Sequence, residues 1–198
     1  PASAEAKPGN SSIVAVAVST GGPPVLRTLL LGLPPNFGAP ILVVQHMAPG
    51  FLPGLAEWLN SCGCSVEIAK HGRVPKPGWT YLAPDDYQMG LDPGGAICLS
   101  LAPPEHGLRP SASYLFRSVT EVFGSRAIGV VLTGMGRDGA DDLKRMRDAG
   151  AVTFAQDQES SVVHGMPGAA INLGAAIHVL PPEKIAVALG QLVRPRLL

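Results

Sequence analysis

Apolar residues along this chain fall into two rhythms. Short, nearly unbroken runs (Ile13–Val18, Ile41–Val44, Ala127–Leu132 and Ala151–Ala155) are rich in β-branched residues. Strands buried on both faces of a parallel sheet read this way. Between the runs, apolar residues recur at helical spacing: Leu26, Leu29, Leu30 and Leu33; Leu115, Val119 and Phe123; Ile185, Leu189 and Leu192. Gly21-Gly22 breaks the first run, Pro23-Pro24 suits the first turn of a helix, and Gly32 with Pro34-Pro35 ends it. The same reading predicts helices over Phe51–Leu59, Ser111–Phe123, Ala140–Ala149 and Pro167–Leu173, a strand over Ala176–Val179, and a closing helix. Alternation of this kind implies an α/β fold, a doubly wound and mostly parallel sheet with helices on both faces.

The middle of the chain breaks the rhythm. Val66–Ala69, Trp79–Ala83, Gln88–Asp92 and Ala96–Leu101 are short strand candidates separated by Pro and Gly, and Asp92-Pro93-Gly94-Gly95 suits a hairpin loop. The expectation here is an antiparallel insert or edge.

Composition narrows the class. The 198 residues suffice for one domain with a substantial core. The 15 basic and 15 acidic residues cancel, and none of the Lys or Arg cluster, which argues against nucleic acid or an anionic membrane as the main partner. No apolar run approaches the roughly 20 residues of a membrane span. Pro1–Ser12 is rich in Pro, Ala, Gly and Ser and reads as a linker or tail to a domain over 13–198. Cys62, Cys64 and Cys98 lack zinc or thioredoxin spacing and read as free thiols.

The chemistry concentrates where three predicted strands end. Val18-Ser19-Thr20-Gly21-Gly22, Gln45-His46-Met47 and Thr133-Gly134-Met135-Gly136-Arg137-Asp138-Gly139 supply a serine, a histidine and an aspartate. In an open parallel sheet the C-terminal strand ends share one edge, where ligand crevices form. Ser19 is a candidate nucleophile, His46 its base and Asp138 the carboxylate that orients the base. Two have a plainer reading: Ser19 as a helix N-cap and His46 as a structural or incidental histidine. No histidine pair has helical metal-site spacing, so neither metal nor cofactor is expected. A dinucleotide site competes, because Gly134, Gly136 and Gly139 follow Gly-x-Gly-x-x-Gly between a strand and a helix. Asp157 or Glu159 would then be the ribose acid. The motif falls late in the chain, and that reading leaves the first two turns idle.

Taken in order, these strings resemble the catalytic domain of the chemotaxis receptor methylesterase family (CheB), from about Ile13 to Leu192. Leu82-Ala83-Pro84, Arg109-Pro110-Ser111, Leu115-Phe116-Arg117-Ser118, Gln156-Asp157 and Gly165-Met166-Pro167 add to the match. The resemblance implies a serine hydrolase that removes methyl groups from γ-glutamyl methyl esters of chemoreceptor helices; some members of the family also deamidate receptor glutamines. It maps the triad onto Ser19, His46 and Asp138, with Thr20 following the nucleophile and the Met135 N–H as oxyanion donor. Gly21, Gly22, Gln45, Met47, Gly134, Gly136, His164 and Met166 are expected to shape the substrate cleft. A chemoreceptor partner, a cytoplasmic setting and a receiver domain outside these residues are also implied. Without that receiver, activity should not require phosphorylation. Four positions depart from the family pattern: Gln88 replaces His, Ser113 replaces Asp, His164 replaces Phe and Gly168 replaces a basic residue. They motivate a third reading, a receptor-binding relative with little turnover.

Overall fold

A computed structural model describes residues 13–193 and 195; the Pro1–Ser12 stretch read as a linker lies outside them. The chain runs β1 (Ile13–Val18), α1 (Gly22–Leu31), β2 (Ile41–Gln45), α2 (Leu52–Ser61), β3 (Val66–Ile68), β4 (Thr80–Leu82), β5 (Gln88–Leu91) and β6 (Ile97–Ser100). It continues through α3 (Ala112–Phe123), β7 (Ala127–Val131), α4 (Ala140–Asp148), β8 (Val152–Gln156), α5 (Gly165–Asn172), β9 (His178–Leu180) and α6 (Pro182–Leu192). Seven strands form one sheet in the order β3-β4-β2-β1-β7-β8-β9, with every pairing parallel.

The all-apolar runs became strands because both their faces are covered. On β1, Ile13, Ala15 and Ala17 pack with Ala112, Leu115 and Phe116 of α3, Leu143 and Met146 of α4, and Met166 of α5. The alternate residues Val14, Val16 and Val18 pack with Leu26 and Leu29 of α1, Leu55 and Leu59 of α2, and Ile185 and Leu189 of α6. Alternation along a strand therefore decides which helix layer each side chain meets.

The middle differs from the expectation. Only β5 and β6 form the antiparallel hairpin, paired from Gln88↔Ser100 to Leu91↔Ile97. β3 and β4 are parallel members of the main sheet, with β4 between β2 and β3. The physical reason is the chain path. α2 carries the chain back before β3 begins, and the long segment from Ala69 to Trp79 does the same before β4, so both strands start at the same edge as β2. Short strand length and flanking Pro and Gly describe an edge but do not set its direction.

β1 is the pivot of the topology. From it the chain steps to β2 on one side and later returns to β7 on the other. The crevice of a doubly wound sheet forms at such a reversal, outside the strand C-termini. Ser19, His46 and Thr133-Gly134 lie just past the ends of β1, β2 and β7 there.

Candidate active site

The register of β1 and β2 brings the serine and histidine together. Val18 pairs with Gln45, and His46 N–H donates to Val18 O at 2.9 Å, so Ser19 and His46 are the next pair along adjacent strands. Such neighbours lie about 4.8 Å apart. Ser19 follows Ala15 and Ala17 in the strand alternation, and His46 follows Leu42 and Val44. Both therefore belong to the face covered by α3, α4 and α5.

Asp138 reaches the same face from the loop before α4. Its Oδ2 lies 3.0 Å from His46 Nε2, and the carboxylate is 4 % exposed. The contact runs off the N–H line, so it is a close approach of imidazole to carboxylate rather than a hydrogen bond, and an ion pair only when the imidazole is protonated. Around the carboxylate, Ser111 Oγ donates to Oδ1 at 2.8 Å, Ala112 N–H to Oδ2 at 2.6 Å and Ser113 N–H to Oδ1 at 3.1 Å. Ala112 and Ser113 are the first two residues of α3, so Asp138 caps that helix from a loop 25 residues or more away. A helix N-terminus favours a carboxylate by up to about 2 kcal/mol when partly buried. Burial alone would raise the Asp138 pKa. The His46 contact, the Ala112 N–H, the Ser111 hydroxyl and the His46 charge outweigh it and lower the pKa from 3.8 to about 2.

The sequence marks Ser111 as part of a motif and Ser113 as a departure, but it does not mark either as an anchor of Asp138. The signal was present: Pro110-Ser111 stands directly before an amphipathic helix, as an N-cap would. Unlike an ordinary cap, the Ser111 hydroxyl donates outward to the carboxylate while the carboxylate takes the helix N–H groups. Ser113 Oγ also accepts Gly139 N–H at 3.1 Å, tying α3 to the loop that carries Asp138.

The glycines of the first and third turns are set by close approach. A Cβ at Gly134 would lie 2.5 Å from Met166 Sδ and 2.7 Å from Ser19 Cβ. Gly21 has φ +76°, and a Cβ there would meet Val162 Cβ at 2.5 Å. Polar links brace the same turns: Ser19 N–H donates to Thr133 O (2.9 Å), Thr133 Oγ1 to Thr20 O (2.9 Å), and Gln45 Nε2 to the carbonyls of Ser19 (3.0 Å) and His46 (2.9 Å). Thr20 and the Met135 side chain are exposed above them.

The expected cleft residues divide. Gly21, Met47 and His164 are half-buried and Gly136 is exposed. Gly22, Gly134 and Met166 are buried; Met166 is wholly excluded from solvent in the core under Gly134, so it supports the cleft without lining it. Gln45 is also buried and, with His46, Met47, Leu108 and Arg109, borders a small cavity of about 150 Å³. His164 lines a different cavity from the one beside His46, and its Nδ1 lies 3.3 Å from Ser161 Oγ. A Cβ on Gly168 would sit 3.2 Å from the His164 ring, so these two departures fit each other.

A dinucleotide does not fit the glycine loop. Gly134 N–H donates to Val163 O and Gly134 O accepts Met166 N–H, both at 2.9 Å, leaving neither for a pyrophosphate. The first turn of α4 carries Asp141 and Asp142, already paired with Arg137 and with Arg117 and Arg145, so those arginines are not free for a phosphate. Asp157 is occupied by the Ser160 N–H and hydroxyl, and Glu159 is exposed beyond it.

A hydroxyl, an imidazole and a buried carboxylate at the switch point of a doubly wound sheet form an arrangement suited to acyl transfer through a serine. The chain belongs to the CheB methylesterase family, whose sequence profile matches residues 14–189. It is 57% identical over 185 residues to a protein-glutamate methylesterase/protein-glutamine glutaminase of Nitrosospira multiformis. That match covers 93% of this chain and 52% of the relative. A protein of the same description, numbered 4, from Geobacter metallireducens is 56% identical over 187 residues, covering 93% of this chain and 54% of its own length. This chain thus spans about half the length of such relatives. Its fold superposes on the crystal structure of the Thermotoga maritima CheB methylesterase catalytic domain with a TM-score of 0.89 at 40% identity, covering 92% of this chain and 99% of that one. Among the described residues, no helix is long and apolar enough to cross a membrane.

Proposed function

We propose that this domain is a serine hydrolase that demethylates γ-glutamyl methyl esters on chemoreceptor cytoplasmic helices, with Ser19, His46 and Asp138 as its triad. The observation that carries the reading is the His46–Asp138 contact at 3.0 Å, beside a serine in register with that histidine. His46 Nε2 faces Asp138 at 3.0 Å, which leaves Nδ1 as the nitrogen to take the Ser19 proton. The serine oxygen attacks the ester carbonyl, and the oxyanion develops near the Met135 N–H and the N-terminus of α1. Imidazolium returns the proton to the departing methoxide, and water, activated by the same base, releases the glutamate. One oxyanion donor in such a site is worth roughly 2.7–4 kcal/mol of barrier. Glutamine deamidation, the second activity in the relatives' names, uses the same steps with ammonia as leaving group.

The test is methanol release from methylated chemoreceptor membranes, with phosphorylation absent throughout. Turnover in this domain alone supports both the activity and its independence of a receiver. Receptor binding without methanol would favour the low-turnover reading that the four departures motivated. None of those four residues supplies a triad side chain, and this supports turnover.

Gly134→Ala is expected to lower kcat by about 100-fold, the scale of an ångström of misplacement at a reacting group. The new methyl would press on both Ser19 and Met166. Overpacking of this kind costs about 1–3 kcal/mol, so melting temperature should fall by several degrees. Parallel rate and thermal-melt measurements check both.

A further inference from the structure

One buried polar side chain has no part in the reaction as drawn. Gln88, at the start of β5, is fully excluded from solvent. Its Nε2 donates to Pro103 O at 3.1 Å and Leu108 O at 3.3 Å, and its Oε1 accepts Ser111 N–H at 2.8 Å. Both amide hydrogens and the oxygen are thus engaged, all with the backbone of one loop. Reciprocal backbone bonds between Glu105 and Leu108, at 3.0 and 2.8 Å, pinch the same loop a second time. Arg117 ties it to the helices through Glu105 and, at 3.4 Å, Asp142. The loop is therefore held in several places, whereas the Ser111 N–H has Gln88 as its partner.

That N–H matters because Ser111 is the residue from which Asp138 is anchored. Its hydroxyl and the next two N–H groups hold the carboxylate that meets His46. The same loop contributes Gly107, Leu108, Arg109 and Pro110 to the cavity beside His46. We propose that Gln88 is a positioning residue for the hydrolytic reaction. It sets the α3 terminus that aims Asp138, and through Asp138 the imidazole. The proposal rests on the serine-hydrolase reading above.

The experiment compares wild type, Gln88→Met, Gln88→His, Ser111→Ala and the Gln88→Met/Ser111→Ala double variant. The readouts are Ser19 labelling by a fluorophosphonate, kcat and KM for methanol release, and thermal melting. Methionine fills the volume without an acceptor; neutral histidine retains one acceptor and one donor. A sub-ångström shift of the anchor is expected to slow labelling and kcat about tenfold in Gln88→Met, with a smaller change in KM. Gln88→His should recover most of that loss. Because both sites act through one anchor, the double variant should be no slower than the slower single. Unchanged labelling in a folded Gln88→Met, a loss confined to KM, or multiplicative losses in the double variant would overturn the proposal. Should Gln88→Met fail to fold, Gln88→His and its double with Ser111→Ala decide by the same additivity criterion. A wild type that Ser19 labelling does not reach would sink the nucleophile assignment instead, and so the two failures are distinct.

Discussion

Ser19→Ala is expected to cut methanol release by on the order of 10⁶-fold, the scale seen when a triad nucleophile is removed. The fold should barely notice. What holds this position is backbone: Ser19 N–H donates to Thr133 O, and Ser19 O accepts Gly22 N–H at 2.8 Å and Gln45 Nε2 at 3.0 Å. Alanine keeps all of these, so the change in stability should stay within about 0.5 kcal/mol, or roughly 2 °C in melting temperature. Fluorophosphonate labelling should vanish with the hydroxyl. Methanol release that survives the substitution would move the nucleophile elsewhere and leave the crevice as a binding surface only.

Asp138→Asn carries the second large effect, and it has two separable parts. In catalysis, an amide cannot stabilise the imidazolium or hold the histidine tautomer, and kcat is expected to fall by about 10⁴-fold. In stability, Asn meets three donors (Ser111 Oγ–H, Ala112 N–H and Ser113 N–H) with one oxygen instead of two. A buried donor left without an acceptor costs about 1–3 kcal/mol. The pH dependence follows from the lowered pKa. The folded-state value of about 2 lies below the ordinary 3.8, so ionised Asp138 stabilises the fold fully above 3.8 and loses that contribution as pH falls through 2. The amount is about 2 kcal/mol. Denaturant unfolding at pH 6 and pH 2.5 should show wild type losing more stability than Asp138→Asn between them. Equal slopes would mean that the carboxylate is not held as the geometry indicates.

Much of the architecture was legible because burial on both faces leaves a mark. Ile13–Val18, Ile41–Val44 and Ala127–Leu132 have almost no polar position, and few elements other than central parallel strands tolerate that. The turns that follow are equally plain, and the strand ends locate Ser19 and His46. β3 and β4 differ from the antiparallel expectation because three residues of strand carry no directional information; direction comes from how α2 and the Ala69–Trp79 segment return the chain. Met166 was taken for a cleft residue because its string sits beside a catalytic-looking loop. Whether a methionine faces a crevice or the core below it depends on helix rotation, which spacing does not report.

The anchoring of Asp138 was hidden for a related reason. Asp138 lies 26 or more residues along the chain from Ser111 and Ala112, and nothing local in either segment records the other. A helix N-terminus leaves N–H groups unpaired wherever it occurs, and only packing of α3 beside α4 decides that this carboxylate fills them. The residue types and the strand ends were therefore determined by the sequence itself, through hydrophobic periodicity and turn chemistry, which act over a few neighbouring residues. Which nitrogen of His46 faces its carboxylate, what holds that carboxylate ionised, and which residues lie beneath the crevice were decided by tertiary structure alone. Those are contacts between distant segments, and they exist only once the sheet has brought its strand ends to one edge.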